Sequence, residues 1–141
     1  MLYKIKEFTS YVEITETLEK DISDTKSMLG QYLSRLDEIR QKAENLKKLH
    51  STLSKIVGRK ALNESLGEIN VEDMTVVLDA SPLDELKALE SVVRSIQEHL
   101  SSLNKTRESL ESFNELSDAD GMKFLLVEAN GVPETILLNI R

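Results

Sequence analysis

From Phe8 onward, apolar side chains return every three or four residues. With Phe8 placed on heptad position a, the a and d positions read Tyr11, Thr15, Leu18, Ile22, Thr25, Leu29, Tyr32, Leu36, Ile39, Ala43, Leu46, His50, Leu53 and Val57. The alternation of four and three never skips, which marks a helix with one buried seam. Leu33, Leu49 and Ile56 flank the seam and widen it. No proline interrupts the run, and Gly30, off the seam, costs roughly 1 kcal/mol of helix propensity. Ser10 and Glu13 have the spacing of a capping box. Gly58 is a candidate C-cap, with Gly67 as the alternative stop. The pattern predicts a first helix over 10–57.

A second helix is announced by Ser81-Pro82-Leu83-Asp84, which supplies an N-cap serine, a proline at the first helical position and an acid in the first turn. Apolar positions follow at Leu86, Leu89, Val93, Ile96, Leu100 and Leu103. The seam then shifts through Thr106, Leu110 and Phe113. This helix is predicted over 82–117, fading near Leu116–Asp118, with Gly121 as its end.

Three stretches read as extended. Ile69–Leu78, inside a connecting tip at 58–80, is rich in valine. Phe124-Leu125-Leu126-Val127 and Thr135-Ile136-Leu137-Leu138 flank Asn130-Gly131, the preferred pair for a two-residue turn with positive φ, and predict a β-hairpin over 122–140. Pro133 suits an edge strand or a longer loop. Leu2, Ile5 and Phe8 fit a short strand or a first helical turn. If the two helices fold back on each other, the start of the first and the end of the second lie together, so the N-terminal segment and the C-terminal hairpin are expected to share a small sheet. The expected architecture is mainly α: a long antiparallel helical hairpin, or coiled coil, with a small β element, in a single elongated domain over 1–141.

Composition sharpens this picture. Only 4% of residues are aromatic and 30% are charged, as in helical bundles rather than β-rich domains. Sustained periodicity argues against disorder, the competing reading of such a composition. There is no cysteine, which removes disulfides, thiol catalysis and thiolate metal sites. The opening residues lack the apolar core of a secretory signal, and the longest apolar runs are far too short to span a bilayer, so a cytoplasmic protein without membrane partners is expected.

Candidate chemistry is sparse. His50 falls on the seam between Leu46 and Leu53, where a polar residue sets register; His99 reads as a surface residue. No spacing of histidines with one another or with glutamate matches a metal motif. Carboxylates fall on polar helix faces, with Glu16–Lys20, Glu38–Lys42, Glu44–Lys48 and Glu90–Arg94 at favourable i,i+4 spacing. No phosphate loop or nucleophile motif occurs. The expectation is a protein without enzymatic activity, cofactor or metal.

Charge is uneven. Between Arg40 and Lys60 lie seven basic residues and one acid, Glu44, while the whole chain carries −7. On a helical wheel Arg40, Lys47, Lys48, Lys55 and Arg59 share one face away from the seam. That face would take an anionic partner, nucleic acid included. The competing reading is neutralisation by Glu64, Glu68, Glu72, Asp73, Asp79, Asp84 and Glu85 next to it.

Two helices that bury one stripe each leave apolar surface over. Leu33, Leu49, Ile56, Leu125, Val127, Ile136 and Leu138 are the expected oligomer contacts, and Val92 also needs cover. The alternative is a monomer with helix one bent back near Gly30. The functional expectation is a non-enzymatic coiled-coil scaffold or adaptor that associates with itself or with other protein subunits. Accessory nucleic-acid binding through residues 40–60 and a chaperone-like helical clamp are the alternatives.

Overall fold

A computed structural model describes the backbone of residues 2–57, 67–78, 81–115 and 121–140, and the side chains of these except at 50, 53–57, 67–71, 76–78 and 140. Among the described residues seven elements follow one another: β1 (Tyr3–Phe8), α1 (Tyr11–Val57), β2 (Gly67–Val71), β3 (Met74–Leu78), α2 (Pro82–Glu111), β4 (Met122–Ala129) and β5 (Val132–Ile140). The protein is mainly α, with two long helices, one three-stranded antiparallel sheet of order β1-β4-β5 and one two-stranded antiparallel sheet of β2 and β3. Residue contacts group into two compact units. One comprises Met1–Leu29 with Ser95–Arg141, the other Gly30–Arg94.

The helix starts follow their local signals. At α1 the Glu13 amide donates to Ser10 Oγ at 3.2 Å. The Glu13 carboxylate reaches one residue further back than the capping box predicts, accepting from the Thr9 amide and Thr9 hydroxyl at 3.0 Å each. At α2, Asp84 and Ser81 cap each other: the Ser81 amide donates to Asp84 Oδ2 at 2.9 Å, and the Asp84 amide to Ser81 Oγ at 3.4 Å. The helix α1 runs through Gly30 as one helical element.

The end of α2 corrects the sequence reading. The α-helix ends at Glu111 rather than near 117, with a 3-10 turn at Asn114 and Glu115; residues 116–120 lie outside those described. The Leu110 carbonyl accepts the Phe113 amide at 2.9 Å and also the Tyr11 hydroxyl. Both of its lone pairs are then taken, leaving none for the i+4 amide that would continue the helix. The turn thus tightens at Phe113, whose amide bonds the Leu110 carbonyl instead of the Ser109 carbonyl, which accepts the Ser112 hydroxyl at 2.7 Å.

In the first unit the core joins four elements. Phe8 of β1, Tyr11, Ile14, Leu18 and Ile22 of α1, Leu103 and Leu110 of α2, and Phe124 and Leu126 of β4 form one buried cluster. Tyr11 meets Leu110, and Glu19 meets Arg107 at 3.4 Å. Ile14 is only 2% exposed, although it lies off the a/d seam. It lines a small apolar cavity of about 70 Å³ with Phe124, Ile136 and Leu138, so this stretch of α1 serves the sheet as well as α2. In the second unit, Leu36, Ile39 and Ala43 of α1 and Leu89 and Val93 of α2 are buried. Every predicted a or d position of α1 whose side chain is described is buried or half-buried.

The C-terminal hairpin forms as its turn pair predicts. Asn130 and Gly131 have φ of 52° and 81°, and Ala129 pairs with Val132 across them. A bulge between Val127 and Glu128 brings Pro133 opposite Glu128 on edge strand β5. The N-terminal segment is a strand, β1, paired with β4 from Tyr3↔Ala129 to Phe8↔Phe124. Asn130 fastens its start: the Leu2 amide donates to Asn130 Oδ1 at 3.0 Å, and the Asn130 amide to the Leu2 carbonyl at 2.8 Å.

The connecting tip contains a hairpin that no turn signature announces. Strands β2 and β3 meet through Glu72-Asp73, and Glu72 takes a φ of 56°. A glutamate in that conformation is uncommon, because its Cβ crowds the backbone.

Candidate interaction surfaces

Strand alternation sorts the three-stranded sheet into two faces. Along β4, Phe124, Leu126 and Glu128 are buried while the residues between them are half-buried. The face carrying Phe124 and Leu126 belongs to the core. By register, Phe8 and Lys6 of β1 and Ile136 and Leu138 of β5 share it. Ile136 packs on the core cluster, and Leu138 keeps 43% exposure. These two expected oligomer contacts thus point to the same side as the helices of their unit.

The opposite face carries Lys123, Leu125, Val127 and Ala129 of β4, opposite Glu7, Ile5 and Tyr3 of β1 and Thr135, Leu137 and Asn139 of β5. Tyr3 is 57% exposed, Ile5 66% and Leu137 46%. Leu125 and Val127, also expected oligomer contacts, are half-buried between these neighbours. The charged residues of this face are Glu7 and Lys123, paired at 3.1 Å.

At one end of the inner face a polar cluster replaces the apolar core. Glu128, 4% exposed, pairs with Lys6 at 3.2 Å, and Lys4 lies directly across from it in register. A cavity of about 300 Å³ opens among Lys4, Lys6, Asp21, Thr25, His99 and Glu128. The buried Thr25 hydroxyl donates to the Asp21 carbonyl at 2.7 Å, which satisfies it within its own helix. His99 is half-buried here rather than at the surface, with its ring against Gly131 of the hairpin turn. Glu128 was legible only in part: alternation places it with Phe124 and Leu126, but which face turns inward is a tertiary outcome. Among the described residues no group of three or more His, Asp or Glu side chains is arranged to hold a metal ion.

In the second unit, Leu33 is 38% exposed, Leu49 53% and Val92 36%. Ile56 lies in α1, its side chain outside those described. On the expected basic face, Arg40 is exposed and contacts Asp37 at 3.9 Å. Lys42, Lys47 and Lys48 are exposed, with no carboxylate of the described residues within 4.0 Å. The side chain of Lys55 and the whole of Arg59 fall outside the described residues, as do the side chain of His50 and, among the neutralising acids expected nearby, Glu64 and Asp79. The four i,i+4 pairs read from the sequence do not close within 4.0 Å either. Arg35 instead lies over the Tyr32 ring, 5.6 Å from its centre.

Tyr11 is the one described group whose acidity departs clearly from normal. Burial, and secondarily the Glu111 carboxylate, raise its phenol above the ordinary value of 10.0. Its hydroxyl is occupied by the Leu110 carbonyl, which gives it a structural role. No described helix is long and apolar enough to cross a membrane. Comparison of the chain with models of known families, with curated proteins and with solved structures finds no match.

Proposed function

We propose that this chain is a non-enzymatic scaffold or adaptor, built on an antiparallel coiled-coil hairpin, that associates with itself or serves as a subunit of a larger assembly. The observation that carries the reading is the apolar surface left over after each unit has formed its core: Tyr3, Ile5, Met28 and Leu137 in one unit, Leu33, Leu49 and Val92 in the other. The buried a and d positions of α1 and the Tyr11–Leu110 and Glu19–Arg107 contacts in the first unit support the coiled-coil hairpin. Apolar side chains beside such a seam are where a further helix or sheet packs. The ion pairs of the described surface, such as Lys6–Glu128 and Glu7–Lys123, suit positioning.

The test is solution mass by light scattering over a wide concentration range, coupled to affinity purification from the native host. Self-association or a stoichiometric protein partner is the expected result. A compact monomer that retrieves no partner overturns the reading.

A second reading rests on the exposed Arg40, Lys42, Lys47 and Lys48 of α1: contact with a polyanion such as nucleic acid. A gel-shift titrated with salt separates the two. Retention that weakens steeply with salt and is lost on reversing Lys47 and Lys48 favours the polyanion; no retention at low salt removes it.

A further inference from the structure

We infer that the polar cavity at the end of the inner sheet face is a binding site for a small zwitterion of the amino-acid class, one ammonium and one carboxylate on a short polar body. The inference goes beyond the scaffold reading and is tested apart from it.

The cavity lies wholly within the first unit and holds about 300 Å³, the lower end of the range for small-molecule sites. Its lining is graded from floor to mouth. Glu128 of β4 and Thr25 of α1 are deepest, at 4% and 6% exposure. Asp21 and His99 are half-buried on the helical walls, while Lys4 of β1 and Asn130 of the turn are exposed at the mouth. Among the described lining residues only Leu2, itself exposed, offers a large apolar side chain. The occupant is therefore held by charge and hydrogen bonds.

A carboxylate as deep as Glu128 is costly to bury unless it is paired. Lys6 pairs with it diagonally, at 3.2 Å from Oε1, although Lys4 is the residue directly across the strands. This leaves binding capacity of both signs. No described residue donates to the other oxygen of Glu128, and a carboxylate accepts several hydrogen bonds. Lys4 has no carboxylate within 4.0 Å among the described residues, and Asp21 has no cation within that distance. The Thr25 hydroxyl spends its proton on the Asp21 carbonyl, so toward a ligand it acts as an acceptor. Asn130 accepts the Leu2 amide through Oδ1, which leaves its NH₂ group to donate.

That order selects the ligand. A simple anion would meet Glu128 and Asp21, and a simple cation would meet Lys4 and Lys6. A metal ion finds no set of three or more His, Asp or Glu side chains arranged to hold it among the described residues. A zwitterion satisfies both ends: its ammonium goes inward to Glu128, Asp21 and Thr25, and its carboxylate stays outward against Lys4 and Asn130.

The experiment uses the full chain. Saturation-transfer NMR screens the L-α-amino acids together with β-alanine and γ-aminobutyrate, whose charges lie further apart. The tightest binder is then titrated beside its methyl ester, which lacks the anionic end, and its N-acetyl derivative, which lacks the cationic end. The zwitterion is expected to bind saturably, the N-acetyl derivative about tenfold or more weakly and the ester about threefold more weakly. Asp21→Asn is expected to weaken the zwitterion about tenfold, and Lys4→Gln, at the exposed mouth, about threefold. Lys105→Gln, outside the cavity, leaves binding unchanged. Circular dichroism checks each fold, and Lys4→Gln, which removes an exposed and unpaired charge, carries the test if Asp21→Asn fails to fold. Tighter binding by an α-amino acid or by a longer one supports the site equally and reads the separation of its two charge partners. No binding by any of these zwitterions, equal binding by either derivative, or binding indifferent to both cavity substitutions overturns the site. None of these outcomes bears on self-association.

Discussion

The two units of this protein solve the same problem with different means. In the first, helical stripes from α1 and α2 close against a sheet, and the core draws on β1, both helices and β4. Leu103 reaches 0% exposure and Phe124 1%. In the second, the buried positions among the described side chains are Leu36, Ile39, Ala43, Leu89 and Val93, and Leu33, Leu49 and Val92 beside them remain open to solvent. A heptad repeat runs through both. In the first unit a sheet supplies a second apolar layer, and the off-seam residue Ile14 becomes core. Periodicity alone makes a seam; a third element makes an enclosed interior.

That contrast can be broken most sharply at Phe124. Phe124→Ala empties the centre of the first core and should cost about 3–5 kcal/mol, read as a drop in the chemical-denaturation midpoint. Leu36→Ala, in the second unit, should cost less, about 2–3 kcal/mol, because a narrow seam lets water and neighbours fill the gap. Equal losses would mean the two interiors are equally enclosed. Tyr11 probes the junction of helix and sheet: Tyr11→Phe removes its bond to the Leu110 carbonyl, at about 1 kcal/mol.

The same substitution has a pH signature. The folded-state phenol titrates above its unfolded value of 10.0. Above that value the unfolded chain loses a proton that the folded chain keeps, so stability is whole below about pH 10 and falls as pH rises through the folded value. Denaturation at stepped alkaline pH should show this loss in the wild type and a smaller one in Tyr11→Phe. The smallest effects belong to the backbone of the second unit. Glu72→Gly relieves a positive φ and Gly30→Ala fills an exposed helical site with nothing within 4 Å of the new Cβ; each should stabilise by about 0.5–1 kcal/mol, read as a raised thermal midpoint.

Much of this architecture is written in local signals. The a and d series of α1, the Ser10 and Ser81 caps and the Asn130-Gly131 turn depend on residues a few positions apart, so they act before any tertiary contact forms. The hairpin of β2 and β3 escaped this kind of reading, because its positive φ falls on Glu72, a residue that seldom takes one. The basic face was legible as a spacing of Arg40, Lys47 and Lys48. Its electrostatic surroundings were not, since they depend on which acids the fold brings near.

By itself the sequence determined where helices start, which stripe each one buries and where the C-terminal chain reverses, because those outcomes follow from periodicity and backbone preference. Tertiary structure decided three things more. It seated the Tyr11 hydroxyl on the Leu110 carbonyl, where α2 tightens and ends. It buried Glu128 and half-buried His99 beside Lys6 and Gly131. It also chose which side of an apolar hairpin would face the helices. Both sides of β4 and β5 carry large apolar residues, so alternation alone cannot break the tie. The fit of Phe124 and Leu126 against Ile14, Leu18 and Leu103 breaks it, and leaves Ile5, Tyr3 and Leu137 facing outward.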